Sequence, residues 1–276
     1  MSTPAAAAAR DTSRPLSFGS AARGVFGLTL DGMLWSRRSA LMAVLLGLPV
    51  VLGLVYRVSL NLRMPRLTAL DLYAQLVLLY YVRNVVPLVA LFYATSLVAD
   101  EVEGKTLTYL LTRPIRRGAI LAGKLAAYLA TTLALSLPGV VLSFFILTTE
   151  RGLSGASSRV PDLLRDTGTV ALALVVYGAL FTLLGVLLRR PMIPGLLFLF
   201  GWELLVYLPG HVPRLTITAY LRSLVSHQPA QEGVTGLFAP AIIPAGESLF
   251  TLAALSLLLL AAAVAVFRSR EYVMEQ

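Results

Sequence analysis

The sequence contains no cysteine. Disulfides, thiol catalysis and cysteine-ligated metals are therefore excluded. Histidine occurs only twice, at His211 and His227, so the side chain best suited to proton transfer near neutral pH is scarce. Charge is scarce as well. Only 13% of residues are Asp, Glu, Lys or Arg, against about 25% in soluble domains. A chain so poor in charge and 57% hydrophobic is too apolar for a soluble protein. Its apolar residues fall in runs near the roughly 20 that cross a bilayer. Residues 1–17, rich in Ala, Ser, Pro and Arg, have no apolar core. They are not a cleavable signal peptide and read as a disordered cytoplasmic tail.

What the chain does have is a net charge of +9. In a soluble protein this would suggest nucleic acid. Here the basic residues flank apolar runs, where they set topology and meet anionic headgroups, so no nucleic-acid partner is expected. The lipid bilayer is the first partner.

Residues 18–276 read as one transmembrane domain. Residues 18–38 place Phe18, Ala22, Leu30 and neighbouring apolar residues at helical spacing, which predicts an interfacial amphipathic helix with Trp35 at headgroup depth. Six spans are expected, at about 39–60, 76–99, 119–147, 167–188, 192–208 and 248–267. The second apolar run begins near Leu70 and is too long for one upright crossing, so its first turns should protrude. Pro138 falls inside the third span, and Arg189-Arg190-Pro191 makes a tight turn between the fourth and fifth. Residues 209–247 form the longest connection, with helical spacing over 214–227 that predicts short outer helices. Of the 23 Lys and Arg residues, fourteen then fall inside, eight outside and Arg83 within a span. That bias places both termini, and residues 100–118, in the cytoplasm.

The stretch from 99 to 124, ADEVEGKTLTYLLTRPIRRGAILAGK, interrupts the apolar pattern between the second and third spans. Asp100, Glu101 and Glu103 suit a helix N-terminus. Leu107, Leu110 and Leu111 recur three and four apart, a small apolar face that fits a partner's groove. An ordinary charged loop would share most of these features. The octapeptide Ala99–Thr106 superficially matches a phosphate loop. A span precedes it instead of a strand, however, and three carboxylates would face a polyanion, so nucleotide binding by this chain is not expected.

Residues Glu101-x-Glu103-Gly104-Lys105-Thr106-Leu107, then Leu110-Leu111, Pro114, Arg117 and Gly123-Lys124, resemble the signature of type-2 ABC transporter permeases. Lys105, between Gly104 and Thr106, departs from the usual Gly-Thr-Leu. The interfacial helix, six spans and long outer connection extend the resemblance over nearly the whole chain, but only this segment matches at motif level. The resemblance implies an all-α membrane protein with a type V exporter-like fold: six transmembrane helices, an N-terminal interfacial helix, a cytoplasmic coupling helix between spans 2 and 3, and short outer helices before span 6. It implies a permease subunit, with a second copy or a sibling permease beside it. A separate cytoplasmic ABC ATPase subunit would dock on Glu101, Glu103, Gly104, Thr106, Leu107, Leu110 and Leu111. ATP and Mg would bind that partner, and this chain would hold no cofactor or metal and catalyse nothing. The expected location is the bacterial cytoplasmic (inner) membrane, with room for accessory proteins on the outer side.

Two charges fall inside spans, Arg83 and Glu203. A charge at mid-membrane costs about 2.5–3.5 kcal/mol or more, so each should face protein or a watery cavity. Counted from Ala99 and Pro191, they lie at depths of about 24 and 18 Å, within reach of pairing. A pair predicts partial rescue by charge swap; a substrate pathway is the other reading. Export is the expected function. Force transmission to an outer motility or assembly machine uses the same parts. A secondary transporter would favour internal repeats, and an enzyme would need a catalytic constellation; the sequence shows neither.

Overall fold

The computed structural model describes residues 18–61, 68–103, 117–149, 157–208, 210–227 and 243–269; for residues 61, 98–103 and 117 it describes backbone only. The architecture is helical, with no strand among the described residues. Helix α1 spans Phe18–Leu34 and α2 spans Arg37–Asn61. One long helix then runs from Ala69 to Glu103 as α3 (Ala69–Gln75), a π-helical stretch (Leu76–Val85) and α4 (Val86–Glu103). Helix α5 covers Arg117–Thr148 and α6 Val160–Leu187. Next come α7 (Met192–Phe200), 3₁₀ turns at Trp202–Tyr207 and Val212–Leu215, α8 (Ile217–Leu224) and α9 (Ala245–Ser269). Gly210, at φ 83°, turns the chain between the two 3₁₀ segments, a conformation that favours glycine.

Among the described residues, five helical segments are long and apolar enough to cross a membrane: Arg37–Leu60, Ala69–Leu97, Gly118–Thr148, Val160–Leu187 and Ala245–Ser269. The segment expected as the fifth of six spans is shorter. Met192–Tyr207 is an α-helix of nine residues followed by a 3₁₀ turn. Its backbone changes character at Gly201, where a Cβ would stand 2.5 Å from the Leu197 carbonyl oxygen.

Several boundaries differ from those the sequence suggests. The interfacial helix ends at Leu34 instead of residue 38. The Ser36 hydroxyl donates to the Met33 carbonyl at 2.9 Å, the Ser39 hydroxyl donates to the same oxygen, and these bonds close the helix. Helix α6 starts at Val160, with Pro161 in its first turn and Asp162 there to meet the dipole. It thus begins ahead of the span expected from about residue 167. Asp100, Glu101 and Glu103 fall in the last described turn of the long second helix.

The core lies between the second long helix, α5 and α6. Tyr73, Tyr81, Tyr128, Tyr177, Phe144 and Phe181 are its largest fully buried side chains. Close approach rests on small residues, as expected between membrane helices. A Cβ on Gly185 would sit 2.9 Å from the Thr95 carbonyl oxygen, and one on Gly139 2.5 Å from the Tyr81 hydroxyl. The bundle has two distinct ends. At one, α1 packs on the start of α5, the end of α4 meets Lys124, and the end of α9 approaches Gly118. At the other, α8 packs against the start of α9 and of α6.

Helix α1 is seated through Gly123, where a Cβ would lie 2.5 Å from the Ala22 carbonyl oxygen and 3.0 Å from the Val25 side chain. Gly123→Val should therefore push α1 off the bundle and speed tryptic cleavage after Arg37 and Arg38. Gly24→Val, at a position with nothing within 4 Å, should leave the cleavage rate unchanged. Equal rates for all three proteins would show that this contact does not hold α1.

Candidate functional site

Helix α8 has eight residues. Isolated helices shorter than about 12–15 residues are marginal in water, so its stability comes from its ends and its packing. At its N-terminus the Glu203 carboxylate accepts from the Ile217 and Thr218 amides, each at 3.2 Å. The Thr216 hydroxyl accepts from the Ala219 amide at 3.3 Å. Three of the four N–H groups that a helix leaves without intrahelical partners are thereby satisfied. A negative charge, only 5% exposed, stands on the positive end of the helix dipole.

The C-terminus mirrors this arrangement. Arg165 Nε donates to the Leu224 carbonyl at 2.7 Å, and its Nη2 donates to that of Ser223 at 3.4 Å. The residues that follow are tied to the same turn of α6. The Ser226 amide donates to Asp166 Oδ1 at 2.8 Å, its hydroxyl donates to the Asp162 carbonyl at 3.1 Å, and His227 Nε2 lies 3.8 Å from Asp162 Oδ2. Asp166 is fully buried. Burial also pushes the Arg222 guanidinium on α8 below its ordinary value, although a guanidinium stays charged. Helix α8 is thus clamped between carriers of opposite charge, Glu203 and Arg165, that belong to different elements.

Arg83 lies in the last turn of the π-helical stretch, four residues before Pro87. Its guanidinium carbon lies 4.0 Å from the Tyr207 ring centroid, a cation–π contact of about 0.5–2 kcal/mol. Arg83 and Glu203 line one small cavity of about 40 Å³ together with Asn84 and Leu199. They form no ion pair within 4.0 Å; the carboxylate is turned to the α8 amides and the guanidinium to Tyr207. The Tyr177 hydroxyl reaches Thr218 Oγ1 at 3.1 Å beside them.

Of the expected coupling residues, Gly104, Thr106, Leu107, Leu110 and Leu111 lie outside the described residues. Glu101 and Glu103 fall in the last turn of α4, where only backbone is described. Both flanks of the segment stand at the α1 end of the bundle, where Lys124 donates to the Leu97 carbonyl. Lys124 is only 4% exposed. Arg165 and Asp166 were not singled out from the sequence. The available signal was an Arg-Asp pair directly before an apolar run, a costly place for charge unless both side chains have partners.

The apolar helices and their buried charges define a multi-pass membrane protein. The chain belongs to the ABC-2 family of transporter proteins: the family match covers residues 33–203, more than half of its length. It is an ABC-2 type permease, a membrane subunit that is not itself catalytic. No curated protein matches the chain.

The clamp makes two thermal-stability predictions. Glu203→Ala should lower the melting temperature in detergent, since each buried amide left unpaired costs about 1–3 kcal/mol. Exchanging the charges, Arg83→Glu with Glu203→Arg, should be worse than either single change, because it places a cation on the helix N-terminus. Partial rescue by the exchange would instead mean that Arg83 and Glu203 act as a pair.

Proposed function

We propose that this chain is the permease subunit of an ATP-driven exporter of the bacterial inner membrane, with both termini in the cytoplasm. Met192–Tyr207 serves as a fifth crossing, which makes six in all. A separate ATPase subunit docks on the segment around 101–111, and a second permease copy or a sibling completes the pathway. ATP and Mg bind the partner. The family membership carries this reading, and three observations support it. The acidic-Gly-x-Thr-Leu motif sits between helix ends that emerge together at the α1 end. Those ends continue directly into buried helices, so a push on the segment reaches the core. At the opposite end, a short helix is held by side chains from two different elements.

Two measurements test the reading. Gentle extraction of the tagged chain from its own membrane should recover an ATPase subunit, and Glu103→Arg should lose it; recovery with neither form would overturn the docking assignment. The absence of native cysteine permits a direct topology test. Ala230→Cys should react with an impermeant maleimide on intact cells, whereas Thr112→Cys should react only after permeabilisation. The reverse pattern would invert the orientation.

A further inference from the structure

A cavity of about 440 Å³ opens at the α1 end of the bundle, between α1, the start of α2, the end of α4 and Lys124 of α5. Its size falls in the range of small-ligand sites. Two cations line it, Arg38 from the start of α2 and the nearly buried Lys124. The hydroxyls of Ser36, Thr29 and Ser96 share the wall. The described lining residues include no carboxylate. The rest of the wall is apolar, with Leu28, Met42, Phe92 and Leu97 among its members. Outside the cavity α2 presents an exposed apolar face through Leu41, Val44 and Leu48. Trp35, 89% exposed, stands at the junction where an aromatic residue marks headgroup depth.

We propose that this cavity binds the phosphate of an acidic glycerophospholipid, whose acyl chains run along α2. The phosphate meets Arg38 and Lys124, as basic pockets between membrane helices hold lipid headgroups, and the hydroxyls complete its hydrogen bonds. The glycerol backbone lies against the apolar wall. A zwitterionic choline lipid fits poorly, because its quaternary ammonium would be brought beside two cations. Free phosphate would leave the apolar wall without an occupant. The lipid would wedge α1 against the bundle next to Gly123, so occupancy would set how firmly α1 is seated. This inference does not depend on the direction of transport or on which ATPase docks.

Native mass spectrometry of the full chain in mild detergent tests it, with phosphatidylglycerol, phosphatidylcholine or inorganic phosphate added. The wild type should retain one phosphatidylglycerol per chain. Arg38→Gln should weaken retention by about fivefold, the effect of one basic residue near an anionic headgroup. Gly32→Leu provides a second route: Gly32 lines the cavity and a Cβ there meets nothing within 4 Å, so the new side chain takes up part of the space while leaving the charges intact. It too should lose the lipid. Equal retention of phosphatidylcholine, wild-type retention by both variants, or displacement of the lipid by inorganic phosphate would each overturn the proposal.

Discussion

In hydrocarbon no water is available to pair a free backbone amide or carbonyl, so each must find a partner within the protein. This constraint organises the whole bundle. The break in α2 shows how a side chain supplies a missing bond. Pro49 lies inside α2 and withdraws the amide that would have bonded the Leu45 carbonyl. The Tyr80 hydroxyl donates there at 2.6 Å, and the Tyr81 hydroxyl donates to Leu46 at 2.8 Å. Both tyrosines come from the π-helical stretch. The widened turn and the proline-broken helix thus support each other, and Gly139 leaves the space in which they meet.

The same logic explains why intramembrane charges are found where they are. Glu203 and Arg165 bond backbone at the two ends of α8, two amides and two carbonyls, while Lys124 bonds the Leu97 carbonyl within the second long helix. At both ends of α8 the sign suits the dipole, with the anion at the N-terminus and the cation at the C-terminus. A helix end offers several orphan groups at once, so one charged side chain there satisfies more backbone than a neutral one and offsets part of its own desolvation. Arg83 differs, since its guanidinium packs on the face of Tyr207.

The long elements were legible in the sequence because length and hydropathy alone specify them. Apolar runs at 39–60, 119–147 and 248–267 fall inside helices α2, α5 and α9. Features set by a few polar atoms were not legible. The start of α6 was hidden because Asp162 and Asp166 lower its local hydropathy, although burial and capping keep both in the helix. The segment at Met192–Tyr207 has the composition of a span without the regular backbone of one, and the change at Gly201 carries no hydropathy signal. Depth counting brought Arg83 and Glu203 to one cavity, but it could not see the α8 amides that take the carboxylate. Hydropathy locates a charge along the membrane normal and is blind to the direction it faces.

The two ends of the bundle are held by different physics, and this bears on where it can move. At the α1 end, Gly123 brings backbone against backbone. Such packing is steep, and a displacement of a fraction of an ångström meets repulsion or opens a void. At the α8 end the contacts are hydrogen bonds from Glu203, Arg165 and Asp166, which break and re-form with new partners or water as polar groups become accessible. Those side chains belong to different elements, the 3₁₀ turn after α7 and the start of α6. A relative shift of these elements would strain both caps of α8. A helix of eight residues has little stability of its own, so it depends on both. The α8 end is therefore held by contacts that can be exchanged, whereas the close packing at Gly123 resists displacement.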